Sequence, residues 1–418
     1  MNMKEYIRQN LFDKLYKGLK GEPRLLQVII GPRQVGKTTL ALQVFDKWRG
    51  PKLYKSADLP NIPIIDWVIA NWNESRSLCN KNKKETLLIL DEIQKIPRWS
   101  EAVKKLFDED KIAKRQVRVV LLGSSSLLVQ KGLTESLAGR FEIHRHYHWS
   151  YRECKEYFKL NLNEYIYFGG FPGAIPLRKD ENRWGKYIRD SLIETVLSKD
   201  VILMSPITKP ALLRQAFGLC LGHPAEIISY QKMIGQLQDA GNTTTIAFYL
   251  RLLNNAFLLV PLERYSGSRI KQRGSIPKIL VLDNALITAT FGQGYKTTIK
   301  NKTFWGRLVE NAVGAKLYPI LQEFGGEIFY WRDRNDEVDY IVRFKDRLIA
   351  IEVKSGRLNK SPAGLDKFLK HYPKAEKIVL QPKATEKDKK VSKEVKSRHV
   401  KCISLRDFFL NPQLALGI

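Results

Sequence analysis

Residues 31–38 read Gly-Pro-Arg-Gln-Val-Gly-Lys-Thr, and the segments on either side leave few folds open to them. Before the run, Leu25-Leu26-Gln27-Val28-Ile29-Ile30 is an apolar stretch bounded by Pro23 and Gly31, which predicts a buried strand. After it, Thr38-Thr39-Leu40-Ala41-Leu42-Gln43-Val44-Phe45 has the period of an amphipathic helix. Strand, glycine-bounded loop and helix in that order make a G-x-x-x-x-G-K-[ST] phosphate loop. Gly31 and Gly36 let backbone N–H groups close around a phosphate chain, with Pro32, Arg33, Gln34 and Val35 between them, and the helix N-terminus faces the negative charge. Lys37 is placed to reach the β- and γ-phosphates, Thr38 to ligate Mg²⁺ through its hydroxyl, and Thr39 closes the loop. The expected ligand is a nucleoside triphosphate, with ATP and Mg²⁺ as the cofactor pair.

The chain has 418 residues, enough for two or three domains. Lys and Arg number 71 against 43 Asp and Glu, a formal charge of +28. Such an excess favours a polyanionic partner, because each phosphate neutralised releases condensed counterions. DNA is the expected partner; an anionic membrane surface and plain solubility are the competing readings, and no basic amphipathic helix stands out for a membrane. No apolar run reaches membrane-spanning length, and the charged start Met1-Asn2-Met3-Lys4-Glu5 lacks the core of a signal peptide. Cys79, Cys154, Cys220 and Cys402 are too dispersed to indicate a zinc site or a disulfide framework. A cytoplasmic location is expected.

A second nucleotide signal is Leu87-Leu88-Ile89-Leu90-Asp91-Glu92. An apolar run ending in two acids reads as a parallel strand that carries carboxylates to its C-terminal edge, where ligands bind in such sheets. Asp91 is the candidate holder of Mg²⁺, and Glu92 the candidate base that orients and deprotonates the attacking water. A third strand, Val117–Leu122, ends in Gly123-Ser124-Ser125-Ser126, where Ser124 is a candidate contact for the γ-phosphate or the water. Arg140, after Glu135-Ser136-Leu137-Ala138-Gly139, is a candidate source of transition-state charge, in cis or from a neighbouring subunit of a homo-oligomer. The alternatives are a Ser-capped turn and a surface arginine.

Taken together, Gly-Pro-Arg-Gln-Val-Gly-Lys-Thr-Thr-Leu, Leu-Asp-Glu-Ile-Gln-Lys-Ile-Pro-Arg-Trp, Gly-Ser-Ser-Ser-Leu-Leu and Ser-Leu-Ala-Gly-Arg-Phe resemble a family of prokaryotic AAA+-type P-loop ATPases. Its members carry a C-terminal domain of unknown function with a nuclease-like fold. The resemblance implies Walker B positions at Asp91 and Glu92, a sensor at Ser124 and the family arginine at Arg140. Gly-Gly-Phe-Pro-Gly-Ala-Ile at 169–175 is similar to a segment that follows the ATPase core in that family.

Beyond Ser205 the pattern predicts helices over Lys209–Leu221, Ile228–Leu237 and Ile246–Leu253, the last capped by Thr243-Thr244-Thr245. Strands over Phe257–Leu262 and Pro277–Leu282 follow, joined by a stretch carrying Arg264, Arg269, Lys271 and Arg273. Three helices and a basic hairpin make a winged-helix-like module, which contacts either DNA or a protein partner.

In the last third, Glu337–Val342 and Leu348–Lys354 flank a Lys-Asp turn and predict a β-hairpin. The strand period puts Glu352 and Lys354 on one face, with Asp339 within reach on the neighbouring strand. Two carboxylates there can hold a hard divalent ion such as Mg²⁺, and Lys354 can position a water against a phosphodiester. Glu310, on a helix from about Phe304 to Leu321 and between the small residues Gly306 and Gly314, is the candidate to complete the metal site. Glu310, Asp339, Glu352 and Lys354 resemble the PD-(D/E)xK core of the restriction-endonuclease-like fold.

The expected architecture is α/β throughout: a P-loop NTPase (AAA+-like) domain over 1–165, linker helices and a winged-helix-like module over 166–290, and a restriction-endonuclease-like domain over 291–418. The expected function is Mg²⁺-dependent ATP hydrolysis coupled to DNA engagement, with or without metal-dependent cleavage. The alternative is a nucleotide-gated switch or scaffold whose nuclease-like domain is inert.

Overall fold

A computed structural model describes residues 6–58, 61, 64–123, 136–202, 207–238, 241–268, 272, 274–356, 362–382 and 400–417. The chain divides into two units, Met1–Tyr147 and His148–Ile418. Among the described residues no helix is long and apolar enough to cross a membrane.

The first unit is built on a parallel sheet of β1 (Leu26–Ile30), β2 (Lys52–Ser56), β3 (Thr86–Asp91), β4 (Val117–Leu122) and β5 (Phe141–Arg145), in the order β2-β3-β4-β1-β5. Every residue of β1, β3 and β4 is buried, which is why these strands read as unbroken apolar runs and not as alternating ones. Helices α1 (Gln9–Lys20) and α2 (Lys37–Lys47) bring Leu15, Leu19, Leu40 and Val44 onto Ile29, Ile89 and Val120. Helix α3 (Ile65–Asn82) packs on β3 and β4 and against α4 (Trp99–Ile112). Because β1 lies between β4 and β5 while β2 is at the far edge, the chain reverses its winding beside β1. The C-terminal ends of β1, β3 and β4 therefore open on one crevice, the place where such sheets bind ligands.

The second unit opens with helices Tyr151–Phe158 and Leu162–Phe168, each started by a reciprocal capping box, Ser150 with Glu153 and Asn161 with Glu164. The Gly-Gly-Phe-Pro-Gly segment that follows is pinned from inside. Gly169 has φ +71°, the Gly170 amide donates to Asp283 Oδ2 at 2.8 Å, and the Gly170 carbonyl accepts from the Trp149 amide at 2.9 Å. Burial raises the Asp283 carboxyl to about 7, against the two amides of Gly170 and Ala285 that favour its charged form.

Helices α5 (Pro210–Gly222), α6 (Tyr230–Ile234) and α7 (Thr243–Asn255) precede the antiparallel pair β6 (Leu259–Leu262) and β7 (Lys278–Val281). Two local expectations change. The second helix is a single short turn segment behind the Ser229 cap. The third is capped by Asn242, whose extended backbone lets its side chain accept from the Thr245 amide at 2.9 Å, so the threonines form its first turn instead of its cap. Arg269, Lys271 and Arg273 lie outside the described residues.

The rest of the unit includes helix α8 (Lys302–Phe324), strands β8 (Glu327–Asp333), β9 (Asp336–Phe344) and β10 (Arg347–Val353), helix α9 (Ala363–His371), and strands β11 (Glu376–Gln381) and β12 (Val400–Ser404). The sheet order is β12-β11-β10-β9-β8, with β8, β9 and β10 antiparallel and β10, β11 and β12 parallel. Lys345 turns between β9 and β10 with φ +53°.

Helix α8 is fastened to the β6–β7 pair by one buried amide. Asn311 Oδ1 accepts from the Val281 amide at 2.9 Å, and Asn311 Nδ2 donates to the Val281 carbonyl at 2.7 Å and to Asn284 Oδ1 at 2.8 Å. Asn311→Ala strands all three partners away from water. We expect it to cost about 2–4 kcal/mol, read as a lower urea midpoint for the second unit; an unchanged midpoint would remove this role.

Candidate functional site

The phosphate loop sits at the C-terminal end of β1. Gly36, with φ +94°, is the residue before α2, a backbone that a side chain would strain. Gly31 is required by space as well, since a Cβ there would stand 1.9 Å from the His146 carbonyl oxygen. The ammonium of Lys37 is buried and donates to the Gly31 carbonyl at 3.0 Å and the Pro32 carbonyl at 2.6 Å. Beside it the His146 ring is fully buried, with a hydrogen-bond partner at neither nitrogen. Burial first, then the charges of Arg8 and Lys37, push this imidazole well below the usual histidine range, so it is neutral.

The two halves of the nucleotide signal meet directly. Thr38 Oγ1 donates to Asp91 Oδ2 at 3.0 Å, and Tyr54 on β2 donates to the same oxygen at 2.8 Å. The other oxygen, Asp91 Oδ1, accepts from the Glu92 amide at 2.8 Å. Glu92 itself has φ +54°, an uncommon backbone for a non-glycine residue, and Gln94 donates to its carboxylate at 2.5 Å. Tyr54 was not singled out from sequence. Its hydroxyl is held well above the usual tyrosine range by burial and by Asp91. Strand pairing explains its arrival, since Tyr54 stands opposite Ile89, two residues before Asp91.

Arg140 is elsewhere. Its carbonyl accepts from the Leu26 amide, so it precedes β5 at the N-terminal edge of the sheet, and its guanidinium grips Asp108 of α4 at 2.8 and 3.0 Å. The length of β1 separates it from the phosphate loop, about 16 Å at 3.3 Å per residue. That corrects the cis reading of Arg140: a side chain anchored there does not reach a γ-phosphate in its own unit. Ser124 lies outside the described residues.

In the second unit, Glu310, Asp339, Glu352 and Lys354 line one cleft of about 570 Å³ together with Glu337. Helix α8 approaches closely because Gly314 faces Tyr340, where a Cβ would meet the ring hydroxyl at 2.5 Å. Tyr340 in turn donates to the Glu310 carbonyl at 2.8 Å. Asp339 Oδ2 accepts from the Val353 amide at 2.7 Å, and Lys354 pairs with Glu352 Oε1 at 2.6 Å. Glu352 is 6% exposed, and its second oxygen has no partner. Carboxylate oxygens of Glu310, Glu337 and Asp339 lie within 4.8 Å of one another.

Into this cluster comes a residue that no sequence signal indicated. Lys278 of β7 is 1% exposed, its ammonium 2.6 Å from Glu310 Oε1, 2.9 Å from Glu337 Oε1 and 3.2 Å from the Asp339 carbonyl. Crowded negative charge raises Lys278 well above the ordinary lysine range despite the opposing effect of burial. The acids move in the same direction, chiefly through burial and secondly through Asp339: Glu310 to about 8 and Glu352 to about 7. Glu337 was legible in principle, since it shares a strand face with Asp339 at a spacing of two. Lys278 was not, because only the fold brings it near.

Comparison with known proteins agrees with the first unit and leaves the second without an assigned activity. Residues 24–155 match the family described as an AAA domain, residues 159–297 a domain of unknown function (DUF8612), and residues 305–405 a domain of unknown function (DUF4143). The first unit is thus a P-loop α/β NTPase fold of the AAA type. The chain is 26% identical over 377 residues to an uncharacterized protein of Methanocaldococcus jannaschii, covering 84% of this chain and 79% of that one. An uncharacterized protein of Haemophilus influenzae is 22% identical over 356 residues, covering 78% and 82%. Among solved structures, the chain has a loose likeness to the Thermotoga maritima RuvB Holliday junction branch migration motor, with TM-score 0.31, 15% identity, and 65% and 92% coverage. The likeness to AMPPCP-bound DnaA from Aquifex aeolicus is equally loose, with TM-score 0.31, 16% identity, and 61% and 89% coverage.

The carboxyl of Glu352 ionises near 7 in the fold against 4.5 in an ordinary glutamate. A raised folded value means that the native state binds the extra proton. The stabilisation is complete below about 4.5 and is lost as pH rises through about 7. In chelator-treated protein the stability of the second unit should fall over that window, and Glu352→Gln should flatten the fall. Urea midpoints taken across the same pH range test this, and parallel profiles for the two proteins would contradict it.

Proposed function

We propose that this protein is an Mg²⁺-dependent ATP hydrolase that couples nucleotide state to DNA engagement, and that its C-terminal cleft is a metal-dependent site for phosphodiesters. The observation that carries the first part is the Thr38–Asp91 hydrogen bond with Glu92 beside it. A hydroxyl and a carboxylate at 3.0 Å are the pair that would hold Mg²⁺ next to a triphosphate, and the ion would supply charge neutralisation to the β- and γ-oxygens. Lys37 trades its two loop carbonyls for phosphate oxygens. Glu92 follows β3 with an unusual backbone, and Gln94, which donates to its carboxylate, would orient it for the water it deprotonates. Arg140 would serve the nucleotide of a neighbouring subunit in a homo-oligomer, since it does not reach the one in its own unit.

DNA engagement is supported by the charge of +28 and by the three helices and strand pair of the middle segment. Asn242, Thr244, Thr245, Phe248 and Arg251 line an open groove of about 490 Å³ along α7, a set suited to phosphate and sugar contacts. Glu352, with its buried unpartnered oxygen, and Asp339 are the acceptors that fit a divalent ion in the cleft. Such an ion would supply Lewis-acid polarisation, with Lys354 positioned to hold a water. One observation favours a second reading. Lys278 already pairs with two of the acids, which suits an inherited cleft retained as a scaffold in a nucleotide-gated switch.

Lys37→Ala should abolish nucleotide binding. Glu92→Gln should bind ATP normally with turnover reduced by about 10²–10⁴, measured by equilibrium binding and phosphate release; ordinary turnover would remove the base assignment. Plasmid and linear DNA incubated with Mg²⁺ or Mn²⁺, with and without ATP, separate the two readings of the cleft. Cleavage that is lost in Glu352→Ala makes it a nuclease. Intact DNA under every condition, with ATP still consumed, makes it a scaffold.

A further inference from the structure

The geometry points to Lys278 as a permanent resident cation that fills the place of a divalent ion between Glu310 and Glu337, and so confines metal binding in the cleft to a single ion held by Asp339 and Glu352. This deepens the reading of the cleft as a metal site and rests on it.

Two observations and one electrostatic argument carry the assignment. The ammonium occupies the centre of the acidic group: it is 2.6 Å from Glu310, 2.9 Å from Glu337 and 3.2 Å from the Asp339 carbonyl, and 5.3 Å from the centre of the Tyr340 ring. Glu310, Glu337 and Asp339 are the three side chains whose oxygens are close enough to share one ion. A second full charge among them would lie within van der Waals range of the ammonium, and like charges at that distance in a poorly solvated site repel strongly.

The backbone that carries the lysine is also fixed. Lys278 pairs with Leu262 in β6 and bridges to Ile227 on its other side. Its neighbours are held as firmly: the Ile279 amide donates to the Glu226 carbonyl at 2.9 Å, the Ala225 amide to the Ile279 carbonyl at 2.8 Å, and Val281 is clamped by Asn311. A cation on a backbone fixed from both sides behaves as part of the scaffold, in contrast to the mobile arm of an exposed lysine.

The remaining acceptors then sort themselves. Glu310 and Glu337 are answered by Lys278. Asp339 gives one oxygen to the Val353 amide, and Glu352 gives one to Lys354, which leaves Glu352 Oε2 buried and unpartnered beside Asp339. Two carboxylates against one exchangeable lysine leave room for one divalent cation of the hard, oxygen-loving class. With the acids Glu310, Glu337, Asp339 and Glu352 all ionised and facing the cations Lys278 and Lys354, one divalent ion makes these six groups neutral.

The test is Mn²⁺ binding to the full-length, nucleotide-free protein, counted from the loss of the free-ion paramagnetic resonance signal, so that DNA cleavage is not the readout. In wild type, Glu352→Gln or Asp339→Asn should weaken one Mn²⁺ by about tenfold or more, whereas Glu310→Gln should change it by less than about threefold. Lys278→Met should add a second Mn²⁺, and adding Glu310→Gln to that variant should remove it. Equal losses from Glu310→Gln and Glu352→Gln in wild type would overturn the assignment, as would a folded Lys278→Met protein that binds no more Mn²⁺ than wild type, or binds none. Should Lys278→Met fail to fold, wild type decides by amine acetylation read by mass spectrometry. Lys278 should stay unmodified with and without saturating Mn²⁺, and its exposure on adding Mn²⁺ would overturn the proposal. Mn²⁺ bound at Glu352 with no DNA cleavage would remove the nuclease reading alone.

Discussion

Charge withdrawn from water has to be answered by charge or by aligned dipoles, and both sites of this chain are solutions to that constraint. In the first unit a buried ammonium, that of Lys37, is met by two loop carbonyls, and a buried carboxylate, that of Asp91, by a threonine, a tyrosine and a backbone amide. These partners are all neutral dipoles: carbonyls, hydroxyls and an amide. In the second unit Lys278 is met by two full carboxylates on two different elements, α8 and β9. That trio joins a strand of the β6–β7 pair to the sheet beyond it, so removing either sign leaves the other buried and unanswered.

The difference between the sites governs what could be read from sequence. The phosphate loop is contiguous, its glycines are demanded by local backbone geometry, and its flanking strand and helix announce themselves by period. Asp91 and Glu92 were readable because a wholly buried strand leaves two acids nowhere to go but its end. Tyr54 escaped notice because β2 is half-buried and its neighbour relation to β3 is a fact of sheet order. Arg140 shows the opposite failure. Its sequence context was informative, but a residue's distance along the chain says nothing about which edge of a parallel sheet it occupies.

The C-terminal cleft falls between these cases. Asp339 and Glu352 lie on paired strands joined by a two-residue turn, with Lys354 just past the second, so period and hairpin geometry nearly determine their meeting. Glu310 needed Gly314 as well, because only a residue without a side chain lets α8 come down onto Tyr340. Lys278 is 32 residues before Glu310 and 61 before Asp339 along the chain, in a segment whose local pattern speaks only of a short apolar strand. Its lysine looks there like an ordinary solvated end. The sequence shows the acids and hides the cation that answers them.

That hidden cation changes what the acidic cluster means. Three carboxylates read from sequence, Glu310, Asp339 and Glu352, or the three that lie close in space, Glu310, Glu337 and Asp339, would argue for a site rich enough to collect two ions. A fixed ammonium among them removes one unit of the charge left to recruit metal, and Asp339 and Glu352 still line the same cleft. A site with one lysine built in and one lysine at its mouth needs only a single divalent ion to reach neutrality. The inert-scaffold reading draws on the same ion pair, but it leaves unexplained why a Glu352 oxygen stays buried without a partner. A cleft that receives a cation gives that oxygen its partner.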